Sequence, residues 1–419
     1  MLDKNLFLYD LAIVAIFKNE GPYLKEWLDY HLLAGVDHFY LYNNDSSDDY
    51  KKILAPYVEK NLVTLIDCPG KVMQIFAYSD AIDRFLFECR FMAFIDLDEF
   101  IFPKTNQKIS EIVEEILSLD ENAAGLGINW QIFGSNGQDK ADYSKGVLER
   151  FTRRASKDSI FLDGSGNKSG TAYIKTIANP RLTRSIQDPH HVAYFDDKFA
   201  VNSAGKVLPG CYNFPVLYEK IVVNHYCIKS REEFLLKQTK GRAARDGDID
   251  TNYFITNAHN EVFDDGILKY RAARAENFSF ESDEQRISRT VNSLVRTLTQ
   301  NPPEKFKLET FLTCRALAEK FQIKIGDSLA EEFALARIHQ SLSRDSTLIF
   351  AELQLLIDVL PEIISRPFPL AKKILQIFST RILPAMLQTT KISRHWRDYK
   401  IYLKLQRFLK VINETEMIK

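Results

Sequence analysis

Apolar positions near the start of the chain fall into two alternating rhythms. Leu11-Ala12-Ile13-Val14-Ala15-Ile16-Phe17 is unbroken and β-rich, the pattern of a strand covered on both faces, and it stops at Lys18-Asn19-Glu20-Gly21-Pro22. Leu24, Trp27, Leu28, His31 and Leu32 then recur at helical spacing, with Gly35 placed to close the helix. A second strand, His38-Phe39-Tyr40-Leu41-Tyr42, breaks into Asn43-Asn44-Asp45-Ser46-Ser47-Asp48. The order β-loop-α-β-loop-α predicts a parallel sheet whose polar loops lie at the carboxyl ends of strands, where open α/β sheets bind ligands. A third apolar stretch, from Phe87 to Ile95, runs into Asp96-Leu97-Asp98-Glu99-Phe100, and strand alternation puts Asp96 and Asp98 on one side. Later the pattern predicts a helix over Ile109 to Leu119 and a strand over Ala124 to Ile132. Beyond about Tyr270 it becomes helical nearly throughout, with breakers at Pro302-Pro303, Pro361, Pro367, Pro369 and Pro384. A chain of 419 residues is too long for one comfortable core. The expectation is therefore an α/β domain with a mostly parallel central sheet over 1–275, followed by an α-helical domain over 276–419.

Two hard oxygen donors at a strand end, Asp96 and Asp98, suit Mn²⁺ or Mg²⁺, with a nucleotide sugar diphosphate as the natural third party. The plainer alternative is that acidic residues merely end a strand. Asn19 and Glu20 end the first strand, and Asn44, Asp45, Ser47 and Asp48 end the second; these are nucleotide-binding candidates. Asx turns and helix caps would also account for the second loop, since Asp45-Ser46-Ser47-Asp48 reads as a helix N-terminus. Trp130 and Phe133, leading into a polar loop, offer faces for sugar stacking or else pack the core. His225 follows Ile221-Val222-Val223 and precedes Lys229 and Arg231, so a neutral imidazole could complete a carboxylate site; a hydrogen-bonded core histidine is the alternative. The glycine-rich stretch Asp163 to Gly170 fails as a phosphate loop, because no Gly precedes Lys168 and no buried strand leads into a helix there. It reads as a mobile loop near an acceptor or an ordinary surface loop.

Phe17-Lys18-Asn19-Glu20, Leu24-Lys25-Glu26-Trp27, Tyr42 to Asp48 and Asp96-Leu97-Asp98-Glu99-Phe100 resemble glycosyltransferase family 92 (DUF23-like) and related bacterial family 2-like enzymes. The resemblance continues through Asn224-His225-Tyr226-Cys227-Ile228-Lys229-Ser230, Glu233-Phe234, Lys237 and Gly241, and covers roughly the first 275 residues. It implies a GT-A fold, a divalent metal held by Asp96, Asp98 and His225, and a donor site that includes Phe17, Asn19, Glu20, Asn44, Asp45 and Asp48. Lys229 and Ser230 would contact the diphosphate. Asn43-Asn44 stands where related family 2 enzymes carry Asp-Asp, which is a departure at the expected base contact. The resemblance also implies inversion at the anomeric carbon, which needs a carboxylate to deprotonate the acceptor. Asp188, in Gln187-Asp188-Pro189-His190-His191, is the preferred base and Asp163 the second. Trp130, Phe133 and His191 are the acceptor candidates. Two other classes stay open: a metal-dependent phosphoesterase, and a catalytically silent binding protein on the same fold.

Composition adds boundaries. Aromatics at 12% and a net charge of -1 argue against disorder and give no overall pull toward nucleic acid. The five cysteines are scattered and lack CxxC spacing, which indicates neither a disulfide framework nor a zinc site and fits a reducing compartment. The N-terminal apolar run contains Asp10 and is short for a bilayer span, so the expected localisation is cytoplasmic, in a bacterial cell. The tail is locally basic: if 391–412 is helical, Arg394, Arg397, Lys400, Lys404 and Arg407 lie beside Ile392, Trp396, Tyr399 and Leu403. That arrangement suits peripheral contact with an anionic inner membrane near a lipid-linked glycan, or equally a solvated face.

Overall fold

The computed structural model describes residues 2–159, 170–195, 197–240, 254–255, 258–276, 279, 281–300 and 308–323. The first part alternates as its apolar rhythm predicts: β1 (Tyr9–Phe17), α1 (Gly21–Leu33), β2 (His38–Asn43), α2 (Tyr50–Glu59), β3 (Val63–Asp67), α3 (Gln74–Phe85) and β4 (Cys89–Phe94). Then come β5 (Glu99–Pro103), α4 (Ile109–Leu117), β6 (Ala123–Ile132), the single turn α5 (Val147–Arg150) and β7 (Arg153–Arg154). The rest of this part is β8 (Ile174–Ala178), β9 (Thr183–Ile186), β10 (Val192–Tyr194), β11 (Phe199–Val201), β12 (Val207–Leu208), β13 (Ile221–His225), α6 (Arg231–Lys240), β14 (Val262–Phe263) and α7 (Gly266–Ala275).

The main sheet has the order β12-β11-β6-β8-β4-β1-β2-β3, with β13 joining β6 to β5. β3, β2, β1 and β4 are parallel, β8 runs against β4 and β6, and β13 is again parallel to β6. Leu11 through Ala15 are fully buried, which is why that run tolerates no polar residue until Lys18. α1 closes as expected, with Gly35 at a φ of +96° that only glycine adopts freely. Chain order reverses between β1 and β4: the first three strands step outward in one direction, and α3 carries the chain back to the other side of β1. That reversal opens a crevice at the carboxyl ends of β1 and β4. The register pairs Phe17 with Asn43, Asn43 with Asp67, and Val14 with Phe94, so all four parallel strands end at one edge.

Packing divides the chain into two compact units, Met1–Thr290 and Val291–Lys419. Helix α8 (Asp283–Gln300) begins in the first unit, where Thr290 Oγ1 and Arg289 Nη1 donate to the Phe7 carbonyl at 2.9 and 3.0 Å. In the second unit the described residues are helical: the end of α8 and α9 (Leu308–Lys320). The periodic segment 348–360 and the basic segment 391–412 lie outside the described residues. Among the described residues no helix is long and apolar enough to cross a membrane.

Candidate functional site

The loops after β1 and β2 are tied into one surface. Asn19 sits at φ +51°, and its Oδ1 accepts the Ser47 N–H at 2.7 Å while its own N–H donates to Ser46 Oγ at 3.0 Å. Asn44 Nδ2 donates to the carbonyls of Cys68 and Gly70, both at 2.8 Å, so the loops after β2 and β3 are linked as well. Asp45 Oδ2 accepts the Gly70 N–H at 3.0 Å. Asp48 Oδ2 accepts the Gly21 N–H at 2.7 Å and so caps α1 across the crevice, while α2 starts at Tyr50 rather than at the Asp45–Asp48 segment. Phe17 is buried under this surface, edge-on to Tyr50 at 5.4 Å. Asn19, Asn44, Asp45 and Asp48 therefore spend hydrogen-bonding capacity on building the loops, and Glu20 lies with them at the mouth of α1.

Asp96 and Asp98 do not share a strand face. β4 ends at Phe94, and Ile95 to Asp98 form a turn before β5, so the alternation expected of a continuing strand stops and the two carboxylates part. Asp96 Oδ1 accepts from Gln74 Nε2 at 2.5 Å, and its Oδ2 is 2.8 Å from Lys175 Nζ. Lys175 is buried and also lies 3.2 Å from Glu99, whose second oxygen has no hydrogen-bond partner among the described residues. Burial pushes Glu99 up to about 7 against the pull of Lys175, and Asp96 and Glu99 together hold Lys175 well above its ordinary value despite its burial. The Asp96 side chain is 34% exposed, so Lys175 grips it from behind and leaves an open edge.

Asp98 faces the other way, toward β13 and α6. Its Oδ2 is 2.5 Å from Lys237 Nζ, and its Oδ1 is 3.6 Å from His225 Nε2. Burial would raise the Asp98 carboxyl, but Lys237, then His225 and Lys229, hold it well below the usual carboxylate range. His225 Nδ1 is buried without a partner among the described residues. Lys229, at φ +56°, lies 4.3 Å over the Tyr23 ring, and burial lowers its pKa. Ser230 is the cap of α6 instead of an open hydroxyl: its Oγ donates to Glu233 Oε2 at 2.5 Å, and the Glu233 N–H returns to Ser230 Oγ at 3.3 Å. Glu233 in turn holds Arg150 through two bonds of 2.8 Å and Tyr23 Oη at 2.9 Å, a buried network that fixes the segment carrying Lys229. The motif from Asn224 to Lys237 is thus half architecture and half site.

Trp130 is half-buried and stands 4.2 Å from the His225 ring, centroid to centroid, beside the carboxylates. Phe133 corrects the expectation: it is fully buried, stacked on Tyr226 at 4.6 Å, and presents no surface to a sugar. Its position three residues past Trp130 carries it into the core, because the strand ends at Ile132 and the chain turns in. Asp188 Oδ1 accepts the N–H groups of His190 and His191 at 2.7 and 2.9 Å, an Asx turn that leaves Oδ2 without a partner among the described residues. His191, half-buried, shares that loop, and burial lowers its pKa. Asp163 lies outside the described residues. Sequence reading missed Lys175, whose signal was a lysine inside the apolar strand Ile174-Lys175-Thr176-Ile177-Ala178, and it gave no role to Lys237 or to Gln74.

Among the described residues no group of three or more His, Cys, Asp and Glu side chains comes together as a metal cage. The donor chemistry nevertheless suits a divalent ion. The 3.6 Å between Asp98 Oδ1 and His225 Nε2 fits two ligands each about 2.1 Å from one ion, and Asp96 has its open edge; Lys237 would have to yield.

The chain matches the profile of glycosyltransferase family 92 over residues 15–252. A family 92 protein of Arabidopsis thaliana is 28% identical over 233 residues, 55% of this chain and 37% of that protein. One from Ricinus communis is 26% identical over 147 residues, 35% and 26% of the two chains. The galactan β-1,4-galactosyltransferase GALS2 of Arabidopsis thaliana is 26% identical over 118 residues, 26% and 22% of the two. The chain spans about a quarter to somewhat over a third of the length of the family 92 relatives it matches. These relatives are plant proteins, which goes against the bacterial origin expected from the sequence. Among solved structures, S. aureus TarS 1–349 in complex with UDP aligns with a TM-score of 0.31 at 13% identity, covering 82% of this chain and 85% of that one.

Proposed function

The chain belongs to glycosyltransferase family 92, and from that premise we propose that it transfers a sugar from a UDP-sugar to a glycan acceptor with inversion, assisted by Mn²⁺ or Mg²⁺. The observation that carries this reading is the pair of ammonium groups, Lys229 and Lys237, gathered around the ionised Asp98 at the switch point of the sheet. A diphosphate is the ligand whose charge such a cluster compensates. The tied loops after β1, β2 and β3 form the wall against which a nucleoside rests, with Asn19 and Asn44 holding that wall in shape.

A divalent ion, held by Asp98, His225 and the open edge of Asp96, supplies neutralisation of charge on the leaving diphosphate. The chain's own groups do the rest. Lys229 keeps a phosphate close, and burial over the Tyr23 ring restricts its ammonium to one direction. Lys175 holds Asp96 from the buried side. Asp188 takes the acceptor proton at Oδ2, its other oxygen being fixed by the loop's N–H groups. Trp130 presents its face to the acceptor.

A panel of sugar nucleotides, UDP-galactose first, tested with Mn²⁺ and with EDTA, decides between this and the other classes. Metal-stimulated donor hydrolysis or transfer supports the proposal. Phosphate release from simple esters would mark a phosphoesterase, and no turnover or UDP binding in any condition would mark a silent binding protein.

A further inference from the structure

Beside the Asp98–His225 pair the aromatic rings continue in series. From His225 the next ring is Trp130 at 4.2 Å, then Tyr173 at 5.1 Å from Trp130, then Tyr212 at 4.6 Å from Tyr173. Trp130, Tyr173 and Tyr212 are each half-buried, so the row is lodged in the protein along one side and open along the other. His190 backs it, 5.0 Å from Trp130 and 4.7 Å from Tyr173, with its Nδ1 held 2.9 Å from the Ile174 carbonyl oxygen. Burial, then the Lys175 ammonium, pushes His190 down to about 3, so the backing is uncharged at neutral pH. The row is pinned at its outer end by the hydroxyl contact from Tyr212 to Tyr173 at 3.1 Å and by the backbone bridge between the same two residues.

Two ring nitrogens in this row, Trp130 Nε1 and His225 Nδ1, are buried and have no hydrogen-bond partner among the described residues. Buried polar atoms are nearly always satisfied, so their state points to a ligand that brings hydroxyl groups. An acyl chain would cover the rings but leave both nitrogens unpaired. A pyranose does both jobs, with a C–H face for the rings and hydroxyls around its rim. Four rings in series extend past the area one sugar covers.

We propose that Trp130, Tyr173 and Tyr212 form a platform for an oligosaccharide acceptor that runs outward from the Asp98–His225 pair, so that acceptor recognition requires more than one sugar ring. This rests on the glycosyltransferase reading and gives its acceptor a class: a neutral oligosaccharide bound along its length, with Tyr212 reading the ring farthest from the reacting hydroxyl.

The test is calorimetric titration of the full chain, in the presence of UDP and Mn²⁺, with galactose and with β-1,4-linked galactose oligomers of increasing length; gluco- and manno-oligomers form parallel series. In at least one series the affinity should rise tenfold or more with length and then level off. Tyr212→Ala and the bulk-preserving Tyr212→Leu should each lose at least fivefold of that gain, while Tyr212→Phe, which keeps the ring, stays within twofold. Near-ultraviolet circular dichroism on each variant establishes that it is folded, and Tyr212→Leu carries the test if the alanine variant is not. Wild-type protein that binds none of the oligomers, or a Leu variant that keeps the full length dependence, overturns the platform. Donor hydrolysis and UDP binding by the wild type are measured alongside: their absence counts against the glycosyltransferase reading, whereas their presence without oligomer binding counts against the platform alone.

Discussion

Replacing Asp98 with Asn removes one negative charge without changing shape, and the structure gives opposite signs for its effect with and without metal. The carboxylate lies 2.5 Å from Lys237 Nζ. At an effective dielectric of about 20 the gross attraction is about 7 kcal/mol, most of it cancelled by desolvation. Lys237 is 31% exposed and keeps the Cys227 carbonyl at 3.0 Å, so the net loss of stability should be about 1–2 kcal/mol, a drop of a few degrees in Tm. Once released, Lys237 can give a phosphate one charge-assisted hydrogen bond worth about 1.5–3 kcal/mol, so UDP binding in EDTA should tighten by about tenfold. With Mn²⁺ the opposite holds, because the ligand charge is gone: the factor by which the metal tightens UDP binding should collapse to about one. Titration calorimetry with UDP, in EDTA and in Mn²⁺, measures both quantities on wild type and Asp98→Asn. Equal metal-dependent tightening in the two proteins would refute the assignment of Asp98 as a ligand, and unchanged binding in EDTA would refute the idea that Asp98 restrains Lys237.

Glu233 is held at about 2 because its bonds from Arg150 and Ser230 outweigh burial, which corresponds to about 3 kcal/mol of stability present above the unfolded carboxyl's range. That contribution should disappear as pH falls from about 5 toward 2; urea melts across this range should show the slope in wild type and a flatter one in Glu233→Gln. His225→Ala should remove most transfer activity, and Lys229→Ala should raise the dissociation constant for UDP about tenfold; wild-type values in both would return the pair to a structural role. Phe133→Ala, emptying a fully buried site, should cost about 3–5 kcal/mol by denaturant titration, and if it instead changes only the acceptor KM, the core assignment is wrong. For the tail, five basic residues at about 1 kcal/mol each predict binding to anionic vesicles at low salt that high salt reverses, and flotation of full-length protein against a version truncated before Lys391 measures it.

Unbroken apolar runs specified the parallel strands, because a strand covered on both faces admits nothing polar, and helical spacing specified α1 and α4. The same local chemistry marked Asp96, Asp98 and His225 as unusual and placed the polar loops at strand ends. What those loops do was less legible: Asp48 caps α1 from across the crevice, and Ser230 spends its hydroxyl on Glu233, because caps and ligand contacts use the same residue types. Strand alternation misled at Asp96-Leu97-Asp98, where the chain turns and sends each carboxylate to a different lysine. Those lysines come from β8 and α6, far along the chain, and only the sheet order brings them to β4 and β5. Phe133 and Trp130, three residues apart, were indistinguishable as sequence; one lies in the core and the other stands at the site because β6 ends between them. Single residues and their rhythm fix which segments are buried and which are polar, but a charge's partner or a ring's neighbour is a long-range pairing, and tertiary structure alone decides it.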